Sequence, residues 1–402
     1  MEAKTFNRHY VLLKKRSATI PTPNLYQLSD SLMDKLEQHT GLLAFDFETS
    51  GLKWAAPDFQ VRSVSFHNDD ISLAIELTYA QPSALRRLWK FIASHEFLIA
   101  HNASFEAGVT FRQTGIIPNI AACTRGLAYQ LAGEGSPGQS WGLKSLAKEL
   151  LGWEDWSREV DMHNVMNLPW NLLGYYNQID SAATWELFKM MKETVDKYKD
   201  TWGKFFWEYH QNDFMNLVKL QVETYAHGLN VDLNSIKNYQ ATVDEEIKTR
   251  LFEFLNNSEV EGGITQFNND AIAEYTDTLN NTPKYTKKGE ITKAWERNHE
   301  KLLEAQDTQH FNIDSSHHLK WLFYSYMKIT PPKKTKKGAP SVDYDALERI
   351  PIYGKLILDY RDSVSTYKFL RALTSNQKDG VIRISIRTPG TVTGRCSSGE
   401  VE

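Results

Sequence analysis

Asp46 and Glu48 close an apolar run, GLLAFDFE, that reads as a buried β-strand. Side chains two apart on a strand share a face, so both carboxylates point the same way. Charges at the end of an apolar strand are costly unless hydrated, paired or bound to metal. Glu106 ends HNASFE (101–106), just after a second apolar strand, FLIA (97–100), and early in a helix. Asp180 ends YYNQID (175–180), with Tyr176 four residues before it; on a helix these two share a face and can enter one site. Such oxygen donors suit Mg2+ or Mn2+, and no Cys/His cluster stands here for structural zinc. Each piece alone has a plainer reading: a solvated strand end for Asp46 and Glu48, a helix cap for Asn102, surface positions for Tyr176 and Asp180. The weight lies in the ordered set: D-x-E on a strand, N-x-x-F-E after another strand, Y-x-x-x-D on a later helix.

Hydrophobic periodicity predicts the secondary structure around these residues. Leu25, Leu28, Leu32 and Leu36 predict a helix over 24–39. The run 41–47 is a buried strand, and 61–66 and 71–77 alternate as two antiparallel strands joined by HNDD. A helix starts at Pro82 and Ser83 and runs to Ser94; 97–100 is the next strand; helical patterns dominate from 103 to about 199. A meander, a helix and another strand predict a mixed α/β sheet. Composition changes near Trp202. The stretch 205–225 is amphipathic and ends at His227-Gly228, before LNVD. The stretch 256–309 is richer in Asn, Thr, Lys and Glu and reads as an inserted, partly exposed piece. VIRISIR (381–387) reads as a strand. Two short lysine-rich loops, KYTKKGE (284–290) and KKTKKGA (333–339), echo each other.

A length of 402 residues suggests two or three domains. Cys123 and Cys396 cannot build a disulfide framework or a four-sulfur zinc site, which points to a reduced, cytoplasmic setting. No apolar run approaches the ~18 residues of a membrane span. The opening MEAKTFNRHYVLLKKRSAT lacks a signal-peptide core, so no membrane partner is expected. A net charge of -4 means that bulk basicity does not announce nucleic acid. Locally the balance reverses: residues 315–342 hold Lys320, Lys328, Lys333, Lys334, Lys336 and Lys337 and no acid, a field suited to phosphates.

The acidic set resembles the DEDD 3′→5′ exonucleases with a tyrosine in the third motif, the proofreading domain of family A DNA polymerases, with ribonuclease-D-like enzymes as relatives. The motifs stand here as FDFETSGL (45–52), AHNASFE (100–106) and YYNQIDSAATWELF (175–188), and GLKSLAKELLG (142–152) resembles the stretch between the second and third. The resemblance spans about residues 8–200. It implies a ribonuclease-H-like fold and hydrolysis of the 3′-terminal nucleotide of DNA with two divalent ions, Mg2+ or Mn2+. One ion would activate water and the other would stabilise the leaving oxygen and the phosphorane charge. By the same resemblance Asp46, Glu48, Glu106 and Asp180 hold the metals, Tyr176 orients the water, and Glu48 contacts the terminal 3′ hydroxyl. Leu52 wedges against the terminal base, with Asn102 and Phe105 also at the substrate. The family's second motif usually ends in Asp; Glu106 keeps the carboxylate but reaches one methylene further. His95 and His101 are read as structural.

LQVETYAHGLNVD (220–232) is similar to the start of the polymerase region of that family, and FNIDSSHHLKWLFY (311–324) with PPKKTKKGAPSVDYDALERI (331–350) to its thumb and basic turn. DSVSTYKFL (362–370) resembles the following helix, and TVTGRCSS (391–398) the motif that grips the primer strand. Duplex DNA is held through phosphates by Lys, Arg, Ser, Thr and backbone amides. Lys333, Lys334, Lys336 and Lys337 on a Gly/Pro-bounded loop, with Thr393, Arg395 and Ser397, supply such groups. The expected partner is DNA, as a single-stranded 3′ end and as a primer–template duplex. The domain reading is an exonuclease domain over 1–200 and a mainly helical partial polymerase domain over 201–402, thumb and start of palm. An insertion at about 250–310 would serve a processivity factor, as in some phage members. The family's polymerase aspartates and fingers follow the TGR motif, and the sequence stops seven residues after Arg395. A separate polypeptide, an interrupted gene or a truncated sequence would account for that. Two rival readings remain: a non-catalytic DNA-binding or assembly subunit with Glu106 marking a decayed site, and an RNA-processing exonuclease, against which KKTKK and TVTGRCSS speak.

Overall fold

The computed structural model describes residues 18–132, 140–158, 160–161, 164–197, 201–288, 290–307, 310–378, 380–388 and 395–401. They form two compact units, one of Met1–Asn230 with Asn376–Glu402 and one of Val231–Ser375.

The first unit is organised by a mixed sheet. Its elements begin β1 (Leu25–Gln27), α1 (Asp30–Leu36), β2 (Leu43–Thr49), β3 (Val61–His67), β4 (Ser72–Glu76), α2 (Pro82–Ser94), β5 (Leu98–Ala100), α3 (Ala103–Thr114), β6 (Ile120–Cys123) and α4 (Thr124–Ala132). The strand order is β1-β4-β3-β2-β5-β6. β2, β3 and β4 form the antiparallel meander, while β5 runs parallel to β2 and β6 parallel to β5. β2 shows why the sheet is covered on both faces. Leu43, Phe45 and Phe47 belong to the core that includes Leu88, Ile92 and Val109 of α2 and α3. Ala44 belongs to the opposite core with Ile99 and Ala122. Asp46 and Glu48 share the face of Ala44 by strand alternation.

That second face is closed by α5 (Leu143–Leu146), which runs into a π-helical turn at Ala147–Leu151, and by the long α6 (Trp170–Asp196). α6 contributes Ile179, Ala182, Ala183 and Leu187 to the Ala44 core. Polar ties set its rotation against the sheet. Ser63 Oγ donates to Asn177 Oδ1 at 3.0 Å, Ser65 Oγ to the Asn177 carbonyl at 2.7 Å, and Gln178 Nε2 to Ser72 Oγ at 2.7 Å. α7 (Thr201–Tyr209), a π-helical turn at His210–Phe214 and α8 (Met215–His227) come next; Phe214, Met215, Val218 and Val222 join the core of α2 and α3.

Two expectations are corrected, and the mainly helical stretch from 103 to about 199 also holds a short strand. The helix over 24–39 is a strand and a shorter helix. Leu25 pairs in β1 alongside β4, and α1 starts only after Ser29, whose hydroxyl accepts from Leu32 N at 3.2 Å. The short strand within 103–199 is β6. VIRISIR is divided at Arg383: β7 (Leu229–Asn230) pairs with β8 (Val381–Ile382), while β9 (Ile384–Arg387) pairs with β10 (Ser397–Val401). Gly228 permits the first pairing. Its φ is +65°, and a Cβ there would lie 2.6 Å from the Ile382 carbonyl oxygen.

The second unit is helical, with α9 (Leu233–Leu255), α10 (Ser258–Asn280), α11 (Lys293–Asp307), α12 (Ser316–Lys320) continuing as a π-helical turn at Trp321–Tyr326, α13 (Tyr344–Leu347) and α14 (Tyr353–Asn376). Phe254, Leu319, Leu322, Phe323, Leu347 and Ile357 form its core. Asp232 caps α9 by accepting from Asn234 N and Ser235 N. Among the described residues no helix is long and apolar enough to cross a membrane.

The packing beside the sheet is testable at Gly108 of α3, where a Cβ would lie 2.3 Å from the buried Trp54 indole. Gly108→Ala is expected to cost about 1–3 kcal/mol, read as a lower midpoint in denaturant unfolding; an unchanged midpoint would contradict this contact.

Candidate active site

Carboxylate oxygens of Asp46, Glu48 and Asp180 lie within 4.8 Å of one another. β2 supplies the first two from one face of its end, and α6 brings Asp180 across the sheet. Glu106, in the first turn of α3, is buried, and its Oε2 has no hydrogen-bond partner among the described residues. Its charge is felt by Glu48, as those of Asp46 and Asp180 are felt by it. Tyr176 is buried one turn before Asp180 on α6.

Burial pushes the Asp46 carboxyl well above the usual range, and Asp180 pushes it further. Burial does the same to Glu48, aided by Asp46 and Asp180, and to Glu106, aided first by Asp46. The Tyr176 phenol is likewise driven up by burial, then by Asp180, so it keeps its proton. A cluster of carboxyl oxygens, one of them buried without a hydrogen-bond partner among the described residues, is the chemistry of a divalent-cation site. The donor set therefore fits the ions that the sequence implies.

Three contributors escaped the sequence reading. Lys144 Nζ lies 2.5 Å from Asp180 Oδ2, 4.5 Å from the centroid of the Tyr176 ring and 5.3 Å from that of Trp156. Burial disfavours its charge, but Asp180, then Asp46 and Glu48, hold it protonated. Trp156 Nε1 donates to Asp180 Oδ1 at 2.6 Å. Asn177 Nδ2 donates to Asp46 Oδ2 at 2.8 Å. Asn177 had only a faint signal, since Asn is disfavoured inside a helix; its full burial is seen only in the fold. Lysines in an amphipathic stretch such as GLKSLAKELLG read as solvated, so Lys144 had none. His101 is occupied by Thr124 Oγ1 at 2.8 Å and the Trp141 carbonyl at 3.0 Å, and His95 by the Gly41 carbonyl at 2.9 Å.

Leu52, 79% exposed, shares a cavity of about 350 Å³ with Asn102, Phe105, Arg125, Tyr225 and Ser385. Asn102 stands at the N-cap of α3 but does not cap it; its Oδ1 accepts from Arg125 Nη1 at 3.3 Å. The second unit holds the lysine loop. Lys333 is tied to Asp343 at 2.8 Å and Asp345 at 2.6 Å, while Lys334, Lys336 and Lys337 are exposed. In the first unit Arg395 is exposed and Ser397 pairs with Arg387 across β9 and β10. Thr393 lies outside the described residues.

Residues 23–196 match the family model described as 3'-5' exonuclease, and residues 284–401 the one described as DNA polymerase family A. Both halves of the chain thus match parts of family A DNA polymerases. Among solved structures, the chain is similar to the POL domain of Pol1 from M. smegmatis in complex with DNA primer-template and dNTP. The TM-score is 0.62 at 17% identity, over 94% of this chain and 55% of that one, so the chain spans about half the length of that structure. At that identity the likeness concerns the fold. A second structure, an apo form of a nuclease, aligns over 49% of this chain and 94% of its own, with 18% identity and a TM-score of 0.37. The mixed sheet is thus the ribonuclease-H-like exonuclease fold, followed by a polymerase-like helical region.

Because burial raises the pKa values of Asp46, Glu48 and Glu106, the metal-free fold prefers them protonated, and their contribution to stability is lost as pH rises through the raised values. Mn2+ should therefore raise the melting temperature more at pH 8 than at pH 5.5, and the increase should vanish in Asp46→Asn with Glu48→Gln. An equal shift at both pH values, or one retained by the double variant, would count against the site.

Proposed function

We propose that this chain removes nucleotides from the 3′ end of DNA by metal-dependent hydrolysis, and that its second half holds primer–template duplex. The observation that carries the reading is the convergence of carboxylates from β2 and α6, with the partnerless Glu106 oxygen of α3, in a chain whose exonuclease match covers all four. Asp46, Glu48, Glu106 and Asp180 would hold two Mg2+ or Mn2+ ions, which when bound supply an activated water and a counter-charge for the phosphorane. Tyr176 keeps its proton in this surrounding, so its hydroxyl can donate to Asp180 while accepting from the attacking water. Lys144 and Trp156 fix the Asp180 carboxylate from one side, and Asn177 fixes that of Asp46. Leu52, Asn102 and Phe105 line the cavity in which the terminal nucleotide would lie, with Leu52 against its base.

The division of labour we propose assigns cleavage to 1–200 and the duplex grip to 201–402, where Lys333, Lys334, Lys336 and Lys337 meet phosphates. Thr393, Arg395 and Ser397 would meet the primer strand. The insertion at about 250–310 would serve a processivity factor.

A labelled single-stranded DNA tests the cleavage. With Mg2+ the wild type should release nucleoside monophosphates from the 3′ end. Asp46→Ala with Glu48→Ala should slow release by at least about a thousandfold, equivalent to about 4 kcal/mol of transition-state stabilisation. Duplex affinity should stay within about twofold, because that grip is electrostatic and lies elsewhere. Wild-type protein that binds DNA without degrading it would sink the reading, and faster cleavage of RNA than of DNA would reassign the substrate.

A further inference from the structure

The two lysine loops that echo in sequence share a backbone hydrogen-bond frame among their described residues. KYTKKGEIT (284–292) and KKTKKGAPS (333–341) align without gaps, identical at the first Lys, the Thr, the Lys-Lys pair and the Gly. Their backbones repeat the same hydrogen bonds. Thr286 N donates to the Glu290 carbonyl at 2.8 Å, as Thr335 N does to that of Ala339 at 2.7 Å. Thr292 N donates to the Lys284 carbonyl at 2.9 Å, as Ser341 N does to that of Lys333 at 3.0 Å. Tyr285 and Ile291 form an antiparallel bridge, as do Lys334 and Pro340.

The side chains repeat a division of roles by different means. In each hairpin the first lysine is anchored on a residue near or within the next helix. Lys333 pairs with Asp343 and Asp345 at the start of α13, whereas Lys284 Nζ sits 4.6 Å from the ring centroid of Trp295 in α11 and 5.5 Å from that of Tyr285. In each hairpin the Lys-Lys pair stands exposed at the tip: Lys287 with Lys288, and Lys336 with Lys337. Among the described residues none of these four ammonium groups has a carboxylate within 4.0 Å. Glu290, where the other hairpin has Ala339, is the acid within the first. Two adjacent ammonium groups repel each other, and a polyanion that binds both neutralises that repulsion and releases its own counterions.

We propose that the hairpin 284–292 is a second grip on the nucleic-acid backbone, equivalent to the hairpin 333–341. Its ligand is the phosphate run of a duplex, met by Lys287 and Lys288, while Lys284 anchors the turn. The inference rests on the reading above that Lys336 and Lys337 hold DNA. It gives the residues after α10 a task of their own within the polymerase match, which opens at residue 284.

The test is the salt dependence of primer–template DNA binding by the full chain, followed by fluorescence anisotropy in EDTA so that nothing is cleaved. Lys287→Gln with Lys288→Gln is compared with Lys336→Gln with Lys337→Gln, and with a control, Lys35→Gln with Lys90→Gln, at two exposed lysines of α1 and α2. Each tip pair should lower the slope of log K against log salt by about 1–2 and weaken low-salt binding roughly tenfold, with the control unchanged. Thermal melting confirms that all variants fold. A slope lost with Lys336 and Lys337 but kept without Lys287 and Lys288 overturns the second grip and leaves the DNA reading standing. If neither pair alters the slope, the DNA-holding role of the first hairpin falls and the second falls with it. If the Lys287/Lys288 variant loses only affinity for poly-glutamate, the hairpin belongs to an acidic protein partner and the inference is wrong.

Discussion

Carboxylates gathered in a protein interior must be protonated, paired with donors or given a cation. Asp46, Glu48 and Asp180 are close enough for their oxygens to share one ligand, and Glu106 adds a fourth charge from a buried position. Leaving water is expensive for each charge, and mutual repulsion adds to that expense. The rest of the first unit can be understood as the means of enforcing this unfavourable proximity. β2 is paired with β3 from Ala44 to Thr49 and is buried on both faces, which holds its end at the site. α6 is locked in rotation by the two serines of β3 that bond Asn177, so Asp180 cannot turn outward.

The protein supplies part of the counter-charge itself. Lys144 sits against Asp180 and over the Tyr176 ring, and Trp156 takes the other Asp180 oxygen. These donors orient the carboxylate, as outer partners of metal-binding groups commonly do. One ammonium cannot balance four acids, which leaves room for divalent ions and a reason for them. The substrate side of the site is more open: Leu52 projects into solvent beside a cavity whose Arg125 and Asn102 bond each other.

Much of this was legible in the sequence, for physical reasons that differ from element to element. β2 announced itself because a strand buried on both faces is continuously apolar, and two acids break that run only where chemistry needs them. Helical spacing showed that Tyr176 and Asp180 share a face, but only the ordered set of motifs singled them out from surface residues. The helix over 24–39 misled because four leucines at helical intervals also fit a short edge strand, a turn and a helix; Ser29, as the cap, was the residue that marked the true start. β6, IAAC, is short and alanine-rich and carries no β-branched run to declare it. Lys144 was invisible because its partner lies 36 residues away, and only folding shows that it meets a carboxylate. The echo of the two lysine loops was visible as residues, but the hydrogen bonds that they share are seen only in the fold.

The most direct measurement of the central constraint is a count of bound Mn2+ at pH 7.5, read from the loss of the free-ion EPR signal as the full chain is titrated. Two ions per chain should bind, and Glu106→Gln, which keeps the size of the side chain and removes its charge, should lose one of them or weaken it at least about tenfold. A chain that binds no Mn2+, or a Glu106→Gln variant with the wild-type isotherm, would contradict the convergence of these four carboxylates on shared metal ions.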